Sequence, residues 1–366
     1  MYKQYKIFYE NNIKMITRMK ILFFIFPIAQ SFVLRTPTTM IHNTGSPPEL
    51  WSFLSDNLKT SAREWFIRSA EKAGVPWKES VSSFDDQYTQ MSLDMWKRRL
   101  EMPEIEYPNY FLQPFHGYDE GNMEWKAAIE GEAATLSVSS NYWKGADPYD
   151  AEEWMRYNVS KHIHEYCKRN HVYSNHISDV LDLGCSIGIS TEFLRNTFRK
   201  ADQIIGIDLS PFFVAMSAHR ADKYGHDIKY IHANAEQIPL RNGSFDLITC
   251  NFLLHEVPYE PCMNIIKEAY RLLKPNGILA IVDLDPEYLK NQLTVNRFHR
   301  WAFEVTEPHI YEYYQHDMSI DLADSGFSDI EKMKNDPINS VWIGKKNIFS
   351  IQTLRVPSKL LSFAMA

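Results

Sequence analysis

Two hydrophobic periods divide the chain. Up to about residue 170, apolar side chains recur every three or four positions; beyond it, short apolar runs alternate with helical segments. Residues 45 to about 100 read as helical. "SPPELWSFLSDNL" opens with Ser46 and prolines suited to a first turn, "TSAREWFIRSAEKAG" stops on Gly74, and "SSFDDQYTQMSLDMWKRRL" supplies another helix. The following stretch is broken by Pro103, Pro108 and Pro114 and is predicted to be irregular or extended. "DPYDAEEWMRYNVSKHIHEYCKRN" is an amphipathic helix. Asp150 is its predicted cap, Glu153 completes a capping box, and Met155, Val159, Ile163 and Tyr166 share one face.

From there strands are predicted at 179–183, 203–207, 228–231, 245–251 and 278–283, with helices starting near Gly188, Pro211, Tyr259 and Pro286. Such alternation specifies a parallel sheet covered on both faces. Sheets of that kind place their sites at the carboxyl ends of strands. The loops after each strand are therefore where chemistry is expected.

The first loop, "DLGCSIG", has Gly184 to turn the backbone and admit a ligand, and Gly188 to open the helix. The spacing is neither the G-x-G-x-x-G of dinucleotide folds nor a P-loop, so it suits a nucleoside lacking a diphosphate. The second, "IIGIDLSP", ends its strand on Asp208, placed to accept from ribose hydroxyls; a helix cap is the alternative role. In the third, "HANAEQIPL", Asn234 and the Ala235 amide suit an adenine edge, with a ligand-free polar turn as the alternative.

Composition narrows the partners. The chain is globular in make-up, 45% hydrophobic and 23% charged. Its net charge of −7 conceals about +5 in residues 1–35, leaving the body near −12. An acidic body repels phosphate backbones, so no nucleic-acid partner is expected. Cys167, Cys185, Cys250 and Cys262 have neither metal nor disulfide spacing; a reduced compartment and no metal are expected.

"MKILFFIFPIAQSF" has the basic start and short apolar run of a signal-peptide core, too short to span a bilayer comfortably. "FVLRTPTTMIHNTG" follows with transit-peptide chemistry. Together they resemble the bipartite plastid presequences of algae with secondary plastids, where Phe32 would follow the signal cleavage site; an ordinary secretory signal is the alternative. The expected organisation is a presequence at 1–44, a helical extension and lid at 45–149, a domain at 150–345 and a tail at 346–366, with no transmembrane span in the mature chain.

Five segments in order, "VLDLGCSIG", "IIGIDLS", "HANAEQIPL", "FDLITCNFLLHEV" and "AYRLLKPNGILAIVD", resemble the successive motifs of class I S-adenosylmethionine-dependent methyltransferases. The resemblance implies an α/β fold: a Rossmann-like seven-stranded sheet whose last strand is antiparallel, with helices on both faces, here preceded by a mainly helical extension. It implies S-adenosylmethionine as cofactor, held by Asp182, Gly184, Cys185, Ser186 and Gly188 of the first loop. Asp208 and Leu209 of the second, Asn234, Ala235 and Glu236 of the third, and Asn251 ending strand four complete the set. Asn234 stands where the family usually has an acid. "FHGYDEGNMEWKAAIEGEAATLSV", "LHEVP" and "TEPHIYEYY" further resemble a plastid-type plant and algal group related to ubiquinone/menaquinone-biosynthesis methyltransferases.

Methyl transfer needs orientation, dryness and, for a protonated acceptor, a base. His255 is the leading base candidate, followed by Glu256 and Asn251; packing or capping by His255 stays open. His116, Tyr118, Asn122 and Trp125 are the candidate lid, against the alternative of a surface loop pinned by aromatics. Aromatics of residues 306–318 and His309 suit a ring-containing acceptor, though core packing is an equal alternative. The expected partner is a small molecule; a protein or RNA methyltransferase, or a cofactor-binding protein without catalysis, is the alternative.

Overall fold

The computed structural model describes residues 56–143, 145–172, 177–295 and 307–347. The expected presequence, the helix start at Ser46 and the tail beyond 347 lie outside these residues. Three helices come first: α1 (Asp56–Lys72), α2 (Trp77–Ser82) and α3 (Gln87–Leu100). Gly74 stops α1 with φ +95°, and Asp86 caps α3 by accepting from the Thr89 amide at 2.9 Å. An irregular strap then leads to α4 (Trp125–Tyr142) and α5 (Pro148–Arg169).

The start of α5 differs from expectation. Asp147, not Asp150, is the cap, accepting from the Tyr149 and Asp150 amides, because Pro148 takes the first helical position, where no amide is needed. The predicted apolar face holds: Met155, Val159, Ile163 and Tyr166 are all buried.

Alternation then builds β1 (Asp179–Leu183), α6 (Ile189–Thr197), β2 (Gln203–Asp208), α7 (Pro211–Tyr224), β3 (Lys229–His232), β4 (Phe245–Asn251), α8 (Tyr259–Leu272) and β5 (Leu273–Leu284). After α9 (Pro286–Val295), α10 (Ile310–Tyr313) and α11 (Met318–Asp324), an antiparallel pair closes the sheet, β6 (Phe327–Lys334) and β7 (Asn339–Lys346). The order is β3-β2-β1-β4-β5-β7-β6; the first five strands run parallel and β7 runs antiparallel to β5 and β6. This is the expected Rossmann-like seven-stranded sheet. β5 starts earlier than predicted, because Leu273 already pairs with Phe245 before the Lys-Pro-Asn-Gly stretch.

Strands buried on both faces are apolar at nearly every position. Leu181, Ile205, Ile248 and Ile281 pack towards α8, while Val180, Ile204, Leu247 and Ile278 pack towards α5. Each such side chain contributes roughly 1.5–3 kcal/mol when fully buried. The extension belongs to this body: Leu93, Ala127 and Ala128 share a cluster with Ile187, Phe213 and Met216. All four cysteines are buried and unbridged. No helix of the described residues is long and apolar enough to cross a membrane.

Candidate active site

At the carboxyl end of β1, three successive alternate residues of the first loop adopt left-handed backbone: Gly184 (φ +63°), Ser186 (φ +48°) and Gly188 (φ +88°). This winding turns the Ser186 amide onto Asp208 Oδ2 at 2.9 Å, tying the ends of β1 and β2 together. Asp208 Oδ1 accepts from the Ser210 amide at 2.8 Å. Burial pushes the Asp208 carboxyl up to about 6 against the pull of these amides.

Two details refine the expectation. The space that a Cβ on Gly184 would fill is taken by Leu253, 3.0 Å away, so glycine there seats the first loop on the fourth. Cys185 turns its thiol into the core beside Gly206 and Tyr230, which leaves only its backbone for the loop. Gly188 is needed because a Cβ would stand 2.6 Å from the Tyr230 hydroxyl.

Asp182 is fully buried and works through its neighbours. The Ser190 and Thr191 hydroxyls donate to Oδ2 at 2.6 and 2.7 Å. Thr249 and the Asn251 amide group donate to Oδ1 at 2.7 and 3.1 Å. One carboxylate thus joins the first helix to the end of β4 and fixes the Asn251 side chain.

The strap before α4 is fastened across the ends of β2 and β3. The Met102 amide donates to His232 Nδ1 at 3.0 Å, and Nε2 donates to the Leu209 carbonyl at 2.9 Å. Tyr110 donates to Glu236 Oε1 at 2.7 Å, while Asn264 donates to Oε2 at 2.9 Å. Glu236 is therefore occupied in anchoring the strap. Asn234 accepts from the Glu236 amide at 2.9 Å, a turn that leaves Ala235 half-buried beside it.

The lid residues separate. Tyr118 is buried, donates to Glu130, which also pairs with Arg63, and shares a core cluster with Ile187 of the first loop. Asn122 accepts the Ser210 hydroxyl on its carbonyl at 2.6 Å, and Trp125 meets Phe212 edge-on at 5.1 Å. Both rest on the start of α7. His116, with φ +51°, reaches the fourth loop: its Nε2 lies 3.0 Å from Glu307 and 3.9 Å from Glu256.

His255 and Glu256 sit on a 3₁₀ turn (Leu254–Glu256) after β4. Asp283, ending β5, accepts from the Leu254 and His255 amides and holds His255 Nδ1 at 2.6 Å. Burial opposes charge on the imidazole, but the Asp283 carboxylate outweighs it and pushes His255 up to about 10. Burial pushes Glu256 up to about 7, with Glu307 and Asp208 adding to the shift and His116 and His255 opposing it. Asp283 thus favours the charged form of His255, while burial brings Glu256 into the range where a general base works.

Residues 181–281 match a family model described as "Methyltransferase domain". The match thus runs from within β1 to within β5 and takes in the loops after the first four strands, but not the strap, Asp283 or Glu307. The chain is 34% identical over 110 residues to erythromycin 3''-O-methyltransferase of Saccharopolyspora erythraea, covering 30% of this chain and 35% of that protein. It is 30% identical over 107 residues to demethylmenaquinone methyltransferase of Listeria welshimeri, covering 29% of this chain and 44% of that one. The chain thus spans less than half the length of these curated relatives. Among solved structures, a SAM dependent methyltransferase from Aquifex aeolicus aligns at 21% identity over 51% of this chain and 88% of that one, with a TM-score of 0.39.

Sequence reasoning missed Asp283, His232, Tyr110 and Glu307. Asp283 had a signal, an acid ending the buried run "ILAIVD". His232 ends β3 inside the methyltransferase match, while Tyr110 comes from the strap and Glu307 from beyond β5; nothing local marks these three.

Proposed function

We propose that this chain transfers a methyl group from S-adenosylmethionine to a small acceptor, aromatic or lipid-like, in the plastid. The observation that carries the reading is the tie between the Ser186 amide and the half-buried Asp208 carboxylate at adjacent parallel strand ends. Among the described residues that carboxylate has no cationic partner, and it keeps lone pairs to spare, which suits ribose hydroxyls. Asp208, Leu209, Asn234 and Ala235 would hold the nucleoside, with Ser186 and Asn251 towards the methionine end. When bound, S-adenosylmethionine supplies a methyl group on a positively charged sulfur.

Glu256 takes a proton from a hydroxyl or similar acceptor near neutral pH. His255, charged and fixed by Asp283, holds the turn that aims Glu256. The strap keeps water out from above the second and third loops. The names of the two curated relatives concern erythromycin and demethylmenaquinone, both small organic molecules. The acidic body supports that choice over RNA, and the presequence supports a plastid setting.

Calorimetry tests the cofactor. S-adenosylmethionine should bind, and Asp208→Ala should weaken it at least about tenfold, as expected for hydrogen bonds to a charged group. Incubation with labelled cofactor and plastid extract should place label in the lipid and quinone fraction. Label in protein or RNA would overturn the small-acceptor reading, and binding without transfer would leave a cofactor-binding role.

A further inference from the structure

The strap delivers His116 to the fourth loop on a tight turn. Phe115 and Tyr118 exchange backbone hydrogen bonds at 3.1 and 2.9 Å, and the two residues between them, His116 (φ +51°) and Gly117 (φ +81°), are both left-handed. Asparagine or glycine usually opens such a turn; a histidine there carries a conformational cost, and outliers of this kind cluster at functional sites. Tyr118 anchors the turn by donating to Glu130, and the Phe115 ring lies 3.8 Å from that of His116. The tip reaches two carboxylates from different elements. Nε2 lies 3.0 Å from Glu307, ahead of α10, and 3.9 Å from Glu256 on the 3₁₀ turn. The contact is open to solvent, with 39% of the His116 side chain and 22% of that of Glu256 accessible. The protein packed around the ring opposes its charge, as does His255, but Glu307 and then Glu256 outweigh them, so His116 holds its proton above the ordinary range.

We propose that His116 is a positioning residue for the reaction: the strap sets its imidazolium against Glu256 and keeps that carboxylate ionised to take the acceptor's proton. The proposal rests on the methyl-transfer reading above. Four charged groups face Glu256: His116 from the strap and His255 from its own turn favour its charge, while Glu307 and Asp208 oppose it. Asp283 fixes His255 within the domain, so His116 is the cation that the strap adds. The base is therefore complete only with the strap in place.

Infrared titration of the full chain follows the protonated Glu256 carboxyl band, identified by its loss in Glu256→Gln. His116→Asn removes the cation and keeps the turn, since Asn-Gly is the sequence such turns prefer. The Glu256 midpoint should then rise by at least about one pH unit. Coupling is reciprocal. In Glu256→Gln the His116 imidazole, assigned by the NMR signal missing from His116→Asn, should therefore lose its proton at a lower pH than in the wild type. An unchanged Glu256 midpoint in a His116→Asn chain that keeps the wild-type urea midpoint overturns the proposal, as does an unmoved His116 signal in Glu256→Gln. If His116→Asn misfolds, the second measurement decides. The acid limb of label transfer from S-adenosylmethionine to plastid extract should rise with the Glu256 midpoint in His116→Asn, and a limb that stays in place overturns the positioning role. Absence of any transfer by the wild type would instead sink the methyl-transfer reading, while both titrations would still report whether His116 acts on Glu256.

Discussion

His255 exchanges a proton with the state of the whole chain. Its value of about 10 in the fold lies above the ordinary 6.5, because Asp283 outweighs burial. Between those values the folded chain holds a proton that the unfolded chain has released. The stabilisation is complete below pH 6.5 and is lost as pH rises towards 10. Stability from urea unfolding should therefore fall between pH 7 and 8.5 by up to about 1.4 kcal/mol per unit from this group. His255→Gln should flatten that slope relative to the wild type; parallel slopes would show that Asp283 does not hold a charged imidazole. Asp208, at about 6, titrates mostly below this window; Glu256, at about 7, overlaps its lower end, so the comparison with the variant is read at the upper end.

At the scale of elements, the first loop holds together through neighbours it was not expected to need. Gly188 has φ +88°, and Tyr230 on β3 closes over it. Gly188→Ala adds both a strained backbone and a clash, and should cost about 2–4 kcal/mol. Tyr230→Phe removes the hydroxyl that a Cβ on Gly188 would meet at 2.6 Å and should cost about 1 kcal/mol or less by itself. In combination it should restore about 1 kcal/mol to the alanine variant, leaving the backbone strain. Strictly additive losses in denaturant titrations would mean that the two residues do not meet.

Across the whole molecule, the strands were legible because a sheet buried on both faces needs continuous apolar runs, and β1 and β4 have the predicted bounds. Loop residues at strand ends were legible for the same reason. Glu236 was read as a ligand contact, yet Tyr110 and Asn264 claim it; such pairings join distant stretches and leave no periodic trace. The extension, set apart from the domain in the sequence, shares a core cluster with it. A chain beginning at Asp147 loses the cover of Ile187, Phe213 and Met216 and the partners of His232. It should bind an apolar dye and unfold at a lower urea midpoint; an unchanged midpoint would make the extension a separable lid.

The four buried thiols give the protein its own set of clocks. Cys185 lies under the first loop, Cys250 in β4, Cys262 in α8 and Cys167 in α5, each shielded from reagents until its own neighbourhood opens. The rate at which each is alkylated reports the local opening free energy there, without any engineered label. Addition of S-adenosylmethionine should slow the Cys185 clock most and the Cys167 clock least. Equal slowing at all four would mean that the ligand steadies the molecule as a single unit.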